Sequence, residues 1–402
     1  PDYMVPAHII CLKQWPLTPN GKIDRQKLLL LERQKSVSAV EFIAPRNDME
    51  KDLATLWQEV LGLGKVGVHE NFFESGGDSL SAVRLIARIE LRFEVKLPVA
   101  SLFGAQTIAQ LAHVIHNKTS DWSPIVPIQP QGNKTPIFAV HALGAMVLSY
   151  EPLARALGKD QPFYGIQAYG FEDQQTPFTD LNEMVSFYIE AIKQQQPQGP
   201  YQIMGHSFGG LIALEIARKL INNGDKVQFL GLIDTYKPVK YVNMPLDDAF
   251  ILKTFAEHNF GVVDIPLKAL RVMNPDTMIE KVVKRFNGMV SEDFIRSAIE
   301  VIRGFQRMTM NYKPEPINTA IQLYRPEDAL NGFKAKLKKL VLRDNADNLG
   351  WHKVTPQLQV SKVTGDHHSL LKAEHVQSFA SQLQKHLAAV NASILEHDKE
   401  DA

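Results

Sequence analysis

Three helical patterns follow one another between about residues 45 and 117. Apolar residues recur at the spacing of one helix face over residues 49–61 and again over residues 80–93, and a third pattern begins near residue 107. A loop rich in glycine joins the first two patterns. The periodicity therefore predicts a small helical bundle over residues 44–117.

From residue 136 onward, short apolar runs alternate with helical patterns, and each run ends at a loop or turn. The runs cover residues 137–141, 201–204, 227–233, 320–324 and 358–363. Such alternation predicts a mainly parallel sheet with helices on both faces. The interval of about 236–317 is mostly helical instead, and we interpret it as a lid inserted into an α/β domain over residues 136–392.

Two other segments lack the pattern of a folded domain. Residues 1–43 are too short to bury a core of their own. Residues 118–135 are rich in proline and polar residues, with Pro124, Pro127 and Pro130 at regular spacing. Proline keeps such a segment extended and moderately stiff, so we predict a linker there.

Length and composition limit the number of domains, the kinds of partner and the compartment that we expect. A length of 402 residues suits two or three domains, and the balance of 44 basic and 44 acidic residues offers no reason to expect nucleic acid or an anionic membrane as partner. Cys11 is the only cysteine, which excludes an internal disulfide and favours a reducing compartment, the cytoplasm. We expect neither a membrane-spanning segment nor a signal peptide. Because the chain begins with Pro1 rather than methionine, we expect it to be part of a longer protein.

A candidate nucleophile lies in Gly205-x-Ser207-x-Gly209, which follows a predicted strand and precedes a predicted helix. In that context the serine occupies a tight turn that exposes its hydroxyl. The N–H of Phe208 then faces the space where an oxyanion would form. We assign the second oxyanion donor to the N–H of Ala142, in the loop after the first strand of the α/β domain.

A serine hydroxyl needs a base, and the best candidate is His367, after the last predicted strand. The best acid is Asp234, at the end of the run 227–233. The order Ser207, Asp234, His367 is that of the α/β-hydrolase triad. Asp328, one strand later, and His368, beside His367, stay open as alternatives.

The lid contributes several aromatic residues. We expect them either to line a pocket or to pack in the lid's own core, and they are Phe255, Phe260, Phe286, Phe294 and Phe305. His141, close to the nucleophile's predicted surroundings, is expected to shape the loop that follows it rather than to act as a base.

A second serine lies in Gly76-Gly77-Asp78-Ser79-Leu80, at the start of the second helix of the bundle. One interpretation is helix capping by Asp78 or Ser79. The other is an exposed attachment serine, because a phosphodiester at a helix N-terminus gains from the backbone N–H groups and the helix dipole. The two interpretations are compatible.

Taken in order, these motifs resemble the C-terminal end of a nonribosomal peptide synthetase, and the resemblance covers nearly the whole chain. Residues 73–80 are similar to the core of a peptidyl carrier protein, which implies a 4′-phosphopantetheine arm on Ser79. Residues 136–392 resemble a type I thioesterase, which favours Asp234 and His367 in the triad. Residues 1–43 resemble the tail of an adenylation domain, in which Lys22 would contact the adenylate.

The resemblance implies a terminal carrier–thioesterase unit. Ser207 would take a peptidyl or acyl chain from the arm on Ser79 and release it by hydrolysis or cyclisation. Implied partners are upstream condensation and adenylation domains, a phosphopantetheinyl transferase and a peptidyl or acyl thioester, and no metal is expected. An esterase for diffusible esters and a non-catalytic carrier scaffold remain as rivals.

Two departures from the family pattern matter. The large ATP-binding part of an adenylation domain is missing, so we predict no amino-acid activation by Lys22. The oxyanion loop reads His141-Ala142-Leu143-Gly144-Ala145, where the family often has His-Pro-x-Gly-Gly. Backbone donation from Ala142 is compatible with those changes.

Overall fold

The computed structural model divides the chain into two compact units, Pro1–Asp121 and Trp122–Ala402. It describes residues 16–17, 23–24, 41–117, 122–171, 175–238, 247–260, 266–285, 290–310, 312–328 and 348–400. Cys11, Lys22 and Phe286 lie outside the described residues, as does the side chain of Phe260. Nearly all of the predicted adenylation remnant, residues 1–43, also lies outside them.

The described part of the first unit is helical. Its helices are α1 (Asp48–Leu61), α2 (Ser79–Phe93), the single turn α3 (Ser101–Gly104) and α4 (Ile108–Asn117). Trp57 on α1 meets Phe72 edge to face at 5.1 Å, and Phe73 stacks on Phe103 at 5.0 Å. These buried rings fasten the loop before α2 to the bundle core. The prediction of a small helical carrier bundle is confirmed.

A seven-stranded sheet forms the core of the second unit's described residues. Its strands are β1 (Ile125–Gln129), β2 (Ile137–Val140), β3 (Phe163–Ile166), β4 (Tyr201–His206), β5 (Val227–Ile233), β6 (Ile321–Pro326) and β7 (Leu358–Val363). They lie in the order β1-β3-β2-β4-β5-β6-β7. Every neighbouring pair is parallel except β1 and β3, as the alternating pattern predicts.

The structure corrects the predicted linker. Residues 118–135 contain β1, an edge strand that buries Val126 and Ile128 on one face. Pro127 fits there because the β1–β3 register shifts between Val126 and Gln129, and proline is tolerated at edges and bulges. The regular spacing of its prolines predicts a linker because it obscures this short alternation of buried and partly exposed residues.

Helices cover the sheet of the second unit. They are α5 (Glu151–Leu157), α6 (Leu181–Gln195), α7 (Phe208–Asn222), α8 (Asp248–Phe260), α9 (Leu267–Arg271), α10 (Pro275–Arg285), α11 (Glu292–Thr309) and α12 (Val376–Glu400). The four helices α8 to α11 lie between β5 and β6 along the chain, which confirms the helical lid insertion. Among the described residues, none of the helices combines the length and the apolar character needed to cross a bilayer.

Candidate active site

Ser207 forms the turn between β4 and α7. Its backbone has φ 57° and ψ −118°, a conformation that a residue with a side chain adopts only under constraint. The Ser207 N–H donates to the Ile233 carbonyl at 2.8 Å, which ties the turn to the end of β5. This is the sharp strand-to-helix turn that the G-x-S-x-G motif predicts.

The glycines of the motif permit a close approach of backbone to backbone. A Cβ on Gly205 would overlap the carbonyl of Gly209, and a Cβ on Gly209 would overlap the carbonyl of His141. The start of α7 therefore lies directly against the chain that leaves β2. The same contact brings the Phe208 N–H and the loop of Ala142 to one region.

A buried hydrogen bond joins two of the predicted site residues. The Nδ1 of His367 lies 2.6 Å from Oδ2 of Asp234, and the two residues are 8% and 1% exposed. A carboxylate can only accept, so Nδ1 carries the proton and Nε2 is left as the basic nitrogen. The Asp234 N–H donates to the Tyr324 carbonyl at 2.8 Å, which fixes the acid at the end of β5.

The two alternatives lie elsewhere. Asp328 is exposed, and its N–H donates to the Gly365 carbonyl. His368 is also exposed, with its ring 5.2 Å from that of His367. The structure therefore brings Asp234 and His367 together in the interior and leaves Asp328 and His368 at the surface.

The loop of His367 is held by a turn around Asp366. Its Oδ1 accepts from the N–H groups of His368 and Ser369, each at 2.9 Å, and from the Ser369 hydroxyl. Burial favours the neutral acid, but these hydrogen bonds together outweigh burial and lower the pKa of Asp366. The turn places the ring of His367 4.6 Å from the ring of His206. His206 is the residue immediately before Ser207.

The loop after β2 is ordered by His141. Its Nδ1 lies 2.8 Å from the Ala142 carbonyl, so Nδ1 donates, and its Nε2 accepts from the Tyr188 hydroxyl at 3.1 Å. Burial lowers the pKa of His141 to about 4, which keeps the ring neutral. Ala145 closes the loop at φ 65°, at the position where the family pattern has its last glycine. Its N–H donates to the Ala142 carbonyl at 3.0 Å.

Among the described lid aromatics, Phe305 reaches this region. Phe305 on α11 stacks on His141 at 4.9 Å and on Phe208 at 4.7 Å. The other two described phenylalanines of the predicted set, Phe255 and Phe294, pack against Phe171. The lid therefore contributes Phe305 to the site region, while core packing accounts for the contacts of Phe255 and Phe294.

Ser79 is the first residue of α2, and Asp78 caps that helix. The Asp78 carboxylate accepts from the Ser81 N–H at 2.8 Å, and the Ser81 hydroxyl accepts from the Asp78 N–H at 2.7 Å. Capping therefore uses the side chains of Asp78 and Ser81 rather than that of the half-buried Ser79. A side chain at the N-terminus of a helix of 15 residues suits a phosphodiester.

Sequence reasoning missed several residues that support the site. The Asp366-x-x-Ser369 spacing is typical of a side-chain-capped turn and could have been recognised. Trp351 donates from Nε1 to the Thr235 carbonyl at 2.7 Å and holds the segment after Asp234. Such a contact, between positions far apart in the chain, has no local signal.

Comparisons with known proteins agree with this architecture. A family model described as "Thioesterase domain" matches residues 135–387, and one described as "Phosphopantetheine attachment site" matches residues 51–115. The second description fits the start of α2, where Asp78 performs the capping and Ser79 stands at the helix N-terminus. Domains of this kind carry covalently attached 4′-phosphopantetheine.

Similar proteins are large synthetases. Malpinin synthetase of Mortierella alpina is 40% identical over 252 residues, which cover 62% of this chain and 3% of that protein. A dimodular nonribosomal peptide synthase of Bacillus subtilis is 36% identical over 309 residues, covering 75% of this chain and 12% of that protein. The crystal structure of a four-domain nonribosomal peptide synthetase bound to AMP and glycine matches with TM-score 0.62 and 29% identity, over 95% of this chain and 29% of its own.

The chain thus spans less than a third of the length of each of these three proteins. Its thioesterase match covers more than half of its own length, and the carrier match precedes it. The chain belongs to the thioesterase domain family, as a thioesterase joined to a phosphopantetheine carrier domain in the manner of the carrier–thioesterase unit of a nonribosomal peptide synthetase.

Proposed function

We propose that Ser207, His367 and Asp234 are the catalytic triad of this thioesterase. The observation that carries the proposal is the buried hydrogen bond of 2.6 Å between His367 and Asp234, beside the strained turn of Ser207. The exposure of Asp328 supports Asp234 as the acid. The exposure of His368 likewise supports His367 as the base.

In this proposal Asp234 and the two ring nitrogens of His367 have separate roles in proton transfer. Asp234 accepts from Nδ1 of His367, which holds the imidazole in one tautomer and stabilises its cation. Nε2 takes the proton from the Ser207 hydroxyl as the oxygen attacks the thioester carbonyl, and later protonates the leaving group. General base help of this kind is worth roughly 10²–10⁴-fold in rate.

Two backbone amides are proposed to receive the oxyanion. The Phe208 N–H follows the nucleophile directly, and the Ala142 N–H lies in the loop that Gly209 allows to approach α7. Both are backbone groups, and Ala142 has an N–H that the proline of the family pattern would lack, so this departure from the pattern supplies the proposed donor rather than removing it. One such donor contributes roughly 10²–10³-fold in rate.

The carrier domain presents the substrate. We propose Ser79 as the attachment residue, modified by a phosphopantetheinyl transferase. When bound there, the phosphopantetheine supplies a terminal thiol through which an acyl group is held as a thioester. Asp78 and Ser81 hold the turn before α2, and Gly77 lets that turn pack against Phe72.

The wider setting follows from the relatives. We propose that upstream condensation and adenylation domains deliver a peptidyl or acyl thioester to this unit. Ser207 then forms an acyl ester, which water resolves to an acid or an internal amine or hydroxyl resolves to a ring. A reducing compartment such as the cytoplasm suits a carrier whose thiol must stay free to hold a thioester.

A diffusible thioester tests the proposed triad directly, because it does not have to be loaded onto the carrier domain. The full chain should hydrolyse an acyl thioester of N-acetylcysteamine, and Ser207→Ala should lower kcat by roughly 10³-fold or more. Ser186→Ala is a matched control, because Ser186 lies exposed on α6 and donates to the Asn182 carbonyl. Equal activity of Ser207→Ala and Ser186→Ala would contradict the assignment of Ser207, and a full chain without activity would favour a non-catalytic scaffold.

A further inference from the structure

A single hydroxyl group bridges the two strands that lead to the proposed oxyanion donors. Oη of Tyr150 donates to the Val140 carbonyl at 2.8 Å and accepts from the His206 N–H at 2.9 Å. Tyr150 belongs to neither strand, since it ends a short 3-10 turn, Leu148–Tyr150. It is 1% exposed, so water does not compete for either hydrogen bond.

The bridge lies at the carboxyl ends of β2 and β4. Val140 is the last residue of β2, His206 is the last of β4, and the two strands pair in parallel up to Val140 and Gly205. Ala142 follows Val140 by two positions, and Phe208 follows His206 by two positions. The hydroxyl therefore acts where the two chains leave the sheet toward their N–H donors.

A hydroxyl between an amide and a carbonyl holds two chains further apart than a direct N–H···O bond of about 2.9 Å would. It also satisfies two buried backbone groups that would otherwise need partners. Burial raises the pKa of Tyr150 far above its ordinary value, so the hydroxyl keeps the proton that it donates. The ring of Phe163, at 5.9 Å, packs against the ring of Tyr150 and restrains it.

We propose that Tyr150 is a positioning residue, whose hydroxyl sets the separation between the Ala142 and Phe208 N–H groups. It touches no reacting atom and acts through Val140 and His206 alone. This inference rests on the proposed function, since it takes those two amides as the oxyanion donors. Without the bridge the strand ends shift, and the two amides no longer converge on one oxygen.

The test compares Tyr150→Phe with Tyr201→Phe in the full chain. Tyr201 is also fully buried, but its hydroxyl donates to the Gln196 carbonyl at the amino end of β4. With an acyl thioester of N-acetylcysteamine, Tyr150→Phe should lower kcat by about 10–100-fold and leave KM within about twofold. Tyr201→Phe should keep kcat within about twofold, although it also removes the hydrogen-bonding hydroxyl of a buried tyrosine. Tyr150→Phe removes two hydrogen bonds and should lose more stability, so kcat is compared for the folded fraction of each variant.

A boronic acid that forms a tetrahedral adduct with Ser207 gives a second readout. Its affinity should fall in Tyr150→Phe by the same factor as kcat and stay unchanged in Tyr201→Phe. A wild-type kcat in Tyr150→Phe, an equal loss in both tyrosine variants, or a loss confined to KM would each overturn the positioning role. Ser207→Ala, measured alongside, separates the two claims: if it stays active the triad itself is wrong, whatever Tyr150→Phe does.

A second variant covers the case in which Tyr150→Phe does not fold. Tyr150→4-aminophenylalanine, installed by codon suppression, keeps a donor for the Val140 carbonyl but offers His206 a poorer acceptor. The weakened bridge should give a kcat below that of the wild type, with a matching loss of boronic acid affinity. A folded variant with wild-type values of both would overturn the proposal.

Discussion

At the residue scale, His141 and His367 are two of the buried imidazoles near the candidate nucleophile, and their surroundings suit opposite tasks. His141 is fully buried between its loop and the ring of Phe305, and burial lowers its pKa to about 4. His367 instead donates from Nδ1 to the Asp234 carboxylate, which leaves Nε2 as its basic nitrogen. A ring that stays neutral can order a loop through fixed hydrogen bonds, whereas a base must gain and lose a proton.

The depressed pKa of His141 predicts how stability depends on pH. Between the folded value of about 4 and the ordinary 6.5, the unfolded chain binds a proton that the folded chain does not. The contribution of His141 to the free energy of unfolding is therefore fully present above pH 6.5 and is lost as the pH falls toward 4. We expect about 2 kcal/mol less free energy of unfolding from this residue at pH 5 than at pH 7.

Urea unfolding of the wild type and His141→Gln at pH 7 and pH 5 measures this effect. The variant lacks the titrating ring, so its free energy of unfolding should fall less between the two pH values. Identical pH dependence in the two proteins would show that His141 does not carry the change.

The proposed acid of the triad can be tested with a matched pair of variants. Asp234→Asn keeps the size of the side chain but removes the charge and allows the wrong imidazole tautomer. We expect kcat for an N-acetylcysteamine thioester to fall by roughly 10³–10⁴-fold, with little change in KM. Asp328→Asn should stay within about twofold of the wild type, because Asp328 is exposed. The reverse ranking of the two variants would transfer the role to Asp328.

How far residues could be predicted depends on whether their partners are local. Ser207 and Phe208 belong to a local motif, and the chain order of Asp234 and His367 reflects strand ends that converge in a parallel sheet. Tyr150 has no such signal, because its hydroxyl joins Val140, which lies 10 positions earlier in the chain, to His206, which lies 56 positions later. The choice between Asp234 and Asp328 likewise depended on which loop lies beside His367.

At the scale of elements, the site depends on how closely α7 lies against the end of β2. A Cβ on Gly209 would overlap the backbone carbonyls of His141 and Val140, which cannot rotate away as a flexible side chain would. The absence of a side chain on Gly209 therefore allows α7 to lie in direct contact with the loop that carries Ala142.

Gly209→Ala should separate these two elements. Because the added methyl displaces the loop of Ala142, we expect kcat for an N-acetylcysteamine thioester to fall by about 10²-fold or more. Gly104→Ala is the control, since its methyl meets nothing within 4 Å in a short helix of the carrier. A Gly209→Ala protein with wild-type kcat would mean that the contact does not govern the oxyanion site.

Sequence patterns predicted the elements unevenly. The five strands with clear apolar runs all occur, and the lid between β5 and β6 is helical as its pattern indicates. No sequence pattern predicted β1 or β3. Strand β3 has only four residues and contains Gly165, against which the Val147 side chain packs. Strand β1 contains Pro127. Both strands are specified by pairing with neighbours more than by their own composition.

At the scale of the whole molecule, the chain joins a carrier domain to a thioesterase domain. Covalent attachment makes delivery of the acyl group an intramolecular event and raises its effective concentration. This arrangement distinguishes the proposed function from that of an esterase for diffusible esters. Ser79 would serve only as the anchor, and Ser207 alone would perform the release.

Intact mass of the full chain tests this central claim directly. The protein, Ser79→Ala and Ser207→Ala are each treated with a phosphopantetheinyl transferase and an acyl-coenzyme A, and their masses are followed over time. We predict that the wild type gains and then loses the acyl group, that Ser79→Ala never gains mass, and that Ser207→Ala stays acylated roughly 10³-fold longer. Loading of Ser79→Ala, or release by Ser207→Ala at the wild-type rate, would contradict the account.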